Sequence, residues 1–130
     1  MRPMPRGRAV SGSELAERVC SIDDKVLFCA VIGARGEITA TASRPGYKSA
    51  VPEKEVDVLA KRWAIVRGID DTADKLLGPA RSAIIFRKKI TLMSVSAREG
   101  GSVFVGARPD FDAARIKEIE KLVGSTGPGK

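Results

Sequence analysis

Histidine is absent from the 130 residues. Its absence removes the side chain that most often serves as general base and as metal ligand near neutral pH. Ser-His-Asp and Cys-His arrangements go with it. Cysteine is scarce as well: Cys20 and Cys29 are too few for a disulfide framework or a zinc site. They are expected as reduced, buried thiols of a cytoplasmic protein. No apolar run approaches the ~20 residues that span a bilayer. The basic residues 1–10 lead into no apolar stretch of the kind a secretory signal requires, so no membrane partner is expected. Aromatic residues are few, with one Trp, one Tyr and four Phe, which leaves little for stacking on bases. No catalytic residue, metal or cofactor is expected from these counts.

Basic residues outnumber acidic ones 23 to 16, a net charge of +7. Part of the excess is local. Residues 1–12 hold Arg2, Arg6 and Arg8 without an acid, among Pro3, Pro5, Gly7 and Gly12, and read as a disordered basic arm. Residues 23–123 carry 18 bases and 14 acids, so the body is only mildly basic and lacks the dense positive face usual in nucleic-acid binders. Residues 13–124 are expected to form a single domain and residues 125–130 a flexible tail.

Hydrophobic periodicity supplies the elements. Ser11-x-x-Glu14 resembles a capping box and starts a short helix over 13–21, with Leu15, Val19 and Ile22 on one side. Residues 25–32 are apolar from Val26 onward, a strand covered on both faces. Gly33-Ala34-Arg35-Gly36 is a tight turn into 37–42, where Ile38, Ala40 and Ala42 alternate with polar residues. The loop 43–50 carries Arg44, Tyr47 and Lys48. Three strands follow later, at 81–87, 90–96 and 102–107, joined by Lys88-Lys89 and by Glu99-Gly100-Gly101. Asp110 or Asp112 caps a last helix, striped by Ile116, Ile119 and Val123 and ended by Gly124.

Between the hairpin and these strands, residues 52–77 read as one long helix that ends at Gly78-Pro79. Val56, Leu59, Trp63, Val66, Ala73 and Leu77 make one apolar stripe. Val58, Ile65, Ile69 and Leu76 make a second beside it. Together they cover roughly 220°, against the ~100° a helix needs to dock on its own core. The first stripe is expected to face the sheet. Val58, Ile65, Ile69 and Leu76, with Trp63, are expected to meet a second copy of the chain, and the edge strand 81–87 is a further candidate for that contact.

The simplest assembly of these elements is an α+β fold with a five-stranded antiparallel sheet in the order 2-1-5-4-3. One long helix lies on one face and the two shorter helices on the other. The segments Pro-Glu-Lys-Glu-Val-Asp-Val-Leu at 52–59, Lys-Leu-Leu-Gly-Pro at 75–79, Phe-Arg-Lys-Lys-Ile-Thr-Leu-Met-Ser at 86–94 and Ala-Arg-Pro-Asp-Phe-Asp at 107–112 resemble a family of uncharacterised small archaeal proteins. The element order is similar to the roadblock/profilin-like fold, over residues 14–123. The resemblance implies a homodimeric scaffold that regulates a small GTPase. It implies no catalytic residue, and it does not require the arginine-rich arm.

Two further motifs carry no chemistry. Gly124-Ser-Thr-Gly-Pro-Gly129-Lys130 spells the start of a phosphate-binding loop, but a helix precedes it where a strand is needed. Gly33-Ala-Arg-Gly36 spells the loop of KH domains, but it joins two strands rather than two helices. The densest basic cluster is Arg81 with Arg87, Lys88 and Lys89. As a turn it protects a sheet edge. With Arg44 and Lys48 it would instead contact an anion or nucleic acid, which defines the alternative reading: a nucleic-acid-binding accessory protein using the arm and the 87–89 turn.

Overall fold

The computed structural model describes residues 11–47, 75–78, 80–97 and 100–126. Helix α1 (Gly12–Cys20) begins where the capping pattern places it: Ser11 Oγ accepts from the Glu14 amide at 3.1 Å. The reciprocal half of the expected box is replaced. Glu14 turns to Arg18 one helical turn on, at 2.9 Å. Leu15, Ala16, Val19 and Cys20 are buried along one stripe.

Strands β1 (Val26–Ile32) and β2 (Ile38–Ser43) form the expected hairpin. Its turn closes through the Gly36 amide on the Gly33 carbonyl at 3.0 Å and the Gly33 amide on the Glu37 carbonyl at 2.7 Å. Gly36 has φ +87°, a left-handed position that a side chain would strain. The alternation along β2 is the one expected, with Ile38, Ala40 and Ala42 half-buried and Thr39, Thr41 and Ser43 exposed.

Strands β3 (Ser82–Phe86), β4 (Thr91–Ser96) and β5 (Ser102–Ala107) make the meander. β5 pairs antiparallel with β1, and the sheet runs β2-β1-β5-β4-β3, the predicted order. The centre belongs to β5 because it is apolar toward both faces, with five of its six residues buried.

The helix α2 (Ile116–Thr126) follows a 3₁₀ turn, Ala113–Arg115. Asp112 is the cap, its carboxylate accepting from the Ala114 amide at 3.1 Å. Asp110 instead faces Lys25 at 3.4 Å. The sequence predicted a stop at Gly124, and the helix runs on to Thr126. Glycine in an open position costs a helix about 1 kcal/mol and does not end it without a left-handed turn, which Gly124 does not make.

Both helices lie over one core. Leu15 and Val19 of α1 and Ile119 and Val123 of α2 pack with Val26, Val31, Met93, Val103 and Val105 of the sheet. Each such fully buried aliphatic contributes roughly 1.5–3 kcal/mol. The opposite face holds a smaller cluster, Ala30, Ile32 and Phe104, joined by Phe28, Ile38 and Leu92. Most of the expected long helix, and with it Val58, Trp63, Ile65 and Ile69, lies outside the described residues. Its last described part, residues 75–77, is helical and stops at Gly78, with φ +86°. Among the described residues no helix is long and apolar enough to cross a membrane.

Candidate interaction surface

Four large apolar side chains stand out of the core: Leu76 at 77% exposure, Leu77 at 85%, Phe86 at 68% and Ile85 at 39%. One of them, Leu76, sits in the stripe that the sequence placed against a second copy. Leu77 belongs to the stripe expected to face the sheet, and the structure corrects that expectation. The helical residues end one position later at Gly78, and the end of the stripe reaches solvent rather than a strand. Ile85 and Phe86 belong to the strand 81–87, which the expected order 2-1-5-4-3 already places at an edge of the sheet. They are exposed because β3 is the last strand of the sheet.

The register places the two on opposite faces. Phe86 is level with Thr91 and Ala107 on the face that carries α1 and α2. Ile85 is level with Leu92 and Gly106 on the other face. The β3–β4 turn closes through the Arg87 amide on the Ile90 carbonyl at 2.9 Å, which leaves Lys88 and Lys89 at its tip, exposed. At the other end β3 is tied to α2. Ser82 Oγ donates to Glu120 Oε2 at 2.8 Å, and Arg81 Nε lies 3.5 Å from the same oxygen.

The basic residues predicted to act together are separated. Arg44 lies past the end of β2, at the opposite edge of the sheet from Arg81, Arg87, Lys88 and Lys89. Four strand spacings, about 19 Å, lie between those edges. Arg44 also has a different task. Its Nε donates to the Val26 carbonyl at 2.8 Å, and its Nη2 to the Cys20 and Asp23 carbonyls at 2.6 and 2.8 Å. The guanidinium thus pins the end of α1 and the start of β1 to the 43–47 loop. Tyr47, the aromatic closest to it in sequence, stacks on Phe28 with ring centroids 6.2 Å apart. Lys48 lies outside the described residues.

A second clamp ties the α2 end to the same region. Arg115 forks onto Glu118 at 2.7 and 2.9 Å, donates to the Ile22 carbonyl at 2.8 Å and pairs with Asp23 through a short contact. The Lys25 amide foremost, then Asp24 and Arg115, hold the Asp23 carboxyl below its usual range against the effect of burial. The hydrogen bond from Arg115 does the same for Glu118. These are structural pairings and leave no spare base or nucleophile among them.

Cys20 and Cys29 are free thiols, and both are buried. Burial raises both thiols, against the pull of Arg44 in the case of Cys20. A neutral thiol in an apolar layer is a poor nucleophile. Both cysteines are therefore expected to resist a water-soluble alkylating reagent in the native protein, roughly a hundredfold more slowly modified than in denaturant. Mass spectrometry of timed alkylation checks this. Among the described residues no group of His, Cys, Asp and Glu is placed to hold a metal ion.

The α+β chain with its five-stranded antiparallel sheet ordered 2-1-5-4-3 has a roadblock/LC7-like fold. Among solved structures, the chain resembles a roadblock/LC7 domain from Streptomyces avermitilis, with a TM-score of 0.62 and 13% identity over 84% of this chain and 85% of that one. It resembles the gliding protein MglB of Thermus thermophilus at a TM-score of 0.73 and 14% identity, over 88% of this chain and 84% of that one. MglC of Myxococcus xanthus matches at 0.52 and 12%, over 84% and 89%. No protein-family model matches the chain, and no curated protein matches it in sequence.

Proposed function

We propose that the chain is a non-enzymatic interaction module that forms a homodimer through the 52–77 segment and acts as a cytoplasmic scaffold or regulator of a small GTPase. The exposed end of that segment carries the proposal. Leu76 and Leu77, at 77% and 85% exposure, leave more apolar surface in water than an isolated domain gains by keeping there. Val58, Trp63, Ile65 and Ile69 continue the same surface in sequence. The fold adds support, because one solved relative is an MglB described with a tetrameric arrangement. The GTPase is the partner class that the roadblock resemblance implies. Catalysis has no support in the residues described, since each clustered cation and carboxylate of the two clamps is engaged structurally.

Light scattering coupled to size exclusion tests the proposal. The parent chain is expected to run as a dimer at micromolar concentration, and Ile65→Lys as a monomer, because a charge in an apolar interface core costs several kcal/mol, about a thousandfold in affinity. A parent chain that is monomeric throughout rejects the homodimer. The nucleic-acid alternative has lost two supports: Arg44 is held on carbonyls, and Tyr47 is packed on Phe28.

A further inference from the structure

Cys20 and Cys29 converge on one residue of β2. The Arg44 amide donates to the Leu27 carbonyl at 2.8 Å, so Arg44 bonds inward to β1. By the alternation of an antiparallel ladder, Ala42 bonds inward as well, to its register partner Cys29. The Cys20 thiol reaches the same residue from α1, with Sγ 3.7 Å from the Ala42 carbonyl oxygen, to which it donates. The Cys29 side chain points into that layer too, since both cysteines pack in the core that α1 covers, with Ala42 against them. A negative charge on Cys20 is felt at Cys29. The two thiols differ in access. Cys29 is fully buried, whereas Cys20 keeps 9% exposure and lines an open pocket of about 530 Å³ with Glu17, Asp23, Asp24 and Arg44. The residues between the two elements, 21–25, form turns rather than helix or strand and can adjust to a bond across them.

We propose that Cys20 is a site of thiol–disulfide exchange with small, positively charged disulfides, and that Cys29 is its resolving partner. The Cys20 thiolate attacks one sulfur of the small disulfide, a mixed disulfide forms on Cys20, and the first small thiolate leaves and takes up the Cys20 proton. The Cys29 sulfur then attacks Cys20 Sγ, and its proton goes to the second departing thiolate. The small disulfide is reduced to two thiols, and the two protein thiols are oxidised to one Cys20–Cys29 bond. Access sets the order of attack, because of the two only Cys20 borders the pocket. The lining sets the charge preference: three carboxylates stand against one guanidinium, which is already engaged on the Cys20, Asp23 and Val26 carbonyls. Burial holds both groups as thiols, so exchange is slow, and the juxtaposition acts on the equilibrium. The bond fastens the last turn of α1 to β1. It does not depend on the 52–77 segment or on a GTPase.

Equilibrating the native full chain with cystamine and cysteamine, followed by intact mass and peptide mapping, tests the proposal. The expected product is one chain with a Cys20–Cys29 disulfide. The effective concentration of one thiol toward the other should be at least about tenfold higher in the native chain than in urea, because a bond that the fold accommodates is favoured by folding. Cys29→Ala should carry one cysteamine on Cys20, and Cys20→Ala should stay unmodified under native conditions. Oxidised glutathione, which is anionic, should react with Cys20 at least about threefold more slowly than cystamine, relative to their rates on the unfolded chain, and added salt should narrow the gap. An effective concentration no higher in the native chain than in urea shows that the fold does not hold the thiols together and overturns the proposal. So does a disulfide-linked dimer as the main product. Modification of Cys29 in native Cys20→Ala overturns the order of attack, and equal relative rates for the two disulfides overturn the charge preference. The map of the parent chain decides the first two outcomes even if an alanine variant fails to fold.

Discussion

Arg44→Ala is expected to lower the unfolding free energy by about 2–4 kcal/mol, read as a lower midpoint in urea at unchanged slope. Three backbone carbonyls, from Cys20, Asp23 and Val26, lose a charged donor at once. Hydrogen bonds to charged groups contribute about 1.5–3 kcal/mol each, and the partial exposure of the site reduces the sum because water can replace part of what is lost. Arg44→Lys should recover only part of the loss, since a single ammonium cannot span the three acceptors that the planar fork reaches. The outcome also separates two roles for this residue. A surface cation kept for an anion would leave stability within about 0.5 kcal/mol of the parent when removed.

Gly106→Ala should cost about 2–3 kcal/mol by the same measurement. A Cβ at this position would meet Phe28 Cε2 at 2.2 Å and Cζ at 2.6 Å. The Phe28 ring lies across the backbone of β5 and cannot swing away cheaply, because Tyr47 flanks it at 6.2 Å and Phe104 at 6.1 Å. In the background of Phe28→Ala the added methyl has room, and the second substitution should then cost less than about 1 kcal/mol. This non-additivity is the signature of a direct contact. If Gly106→Ala costs the same in both backgrounds, backbone freedom rather than the ring explains the glycine.

Much of the sheet was legible because its strands announce themselves differently. Val26–Ile32 and Ser102–Ala107 are apolar without alternation, which places them inside, and Ile38–Ser43 alternates, which places it nearer an edge. The tight glycine turn fixed the first hairpin. The edge position of β3 came from the expected strand order and not from its own residues, since Ile84-Ile85-Phe86 carries the same β-forming, apolar signal whether one neighbour or two are present. Arg44 could not be assigned from sequence because its acceptors are carbonyls up to 24 residues away, and a carbonyl leaves no trace in residue identity. The Arg115–Asp23 clamp, spanning 92 residues, was hidden for a related reason: two opposite charges among many give no indication of which ones meet. At Gly124 local propensity pointed to a stop, and the buried Ile119 and Val123 before it held the helix in place.

The joint core beneath α1 and α2 bears on how the chain is made. The first helix emerges from the ribosome about a hundred residues before its partner. Until Ser102–Ala107 is released, β1 lacks β5 on its other side, and until Ile116–Thr126 follows, Leu15 and Val19 lack the helix that shares their core. Closure of the domain must therefore wait for α2 to leave the ribosome, and until then the nascent chain presents a sticky, half-built layer that a chaperone or a protease can reach first.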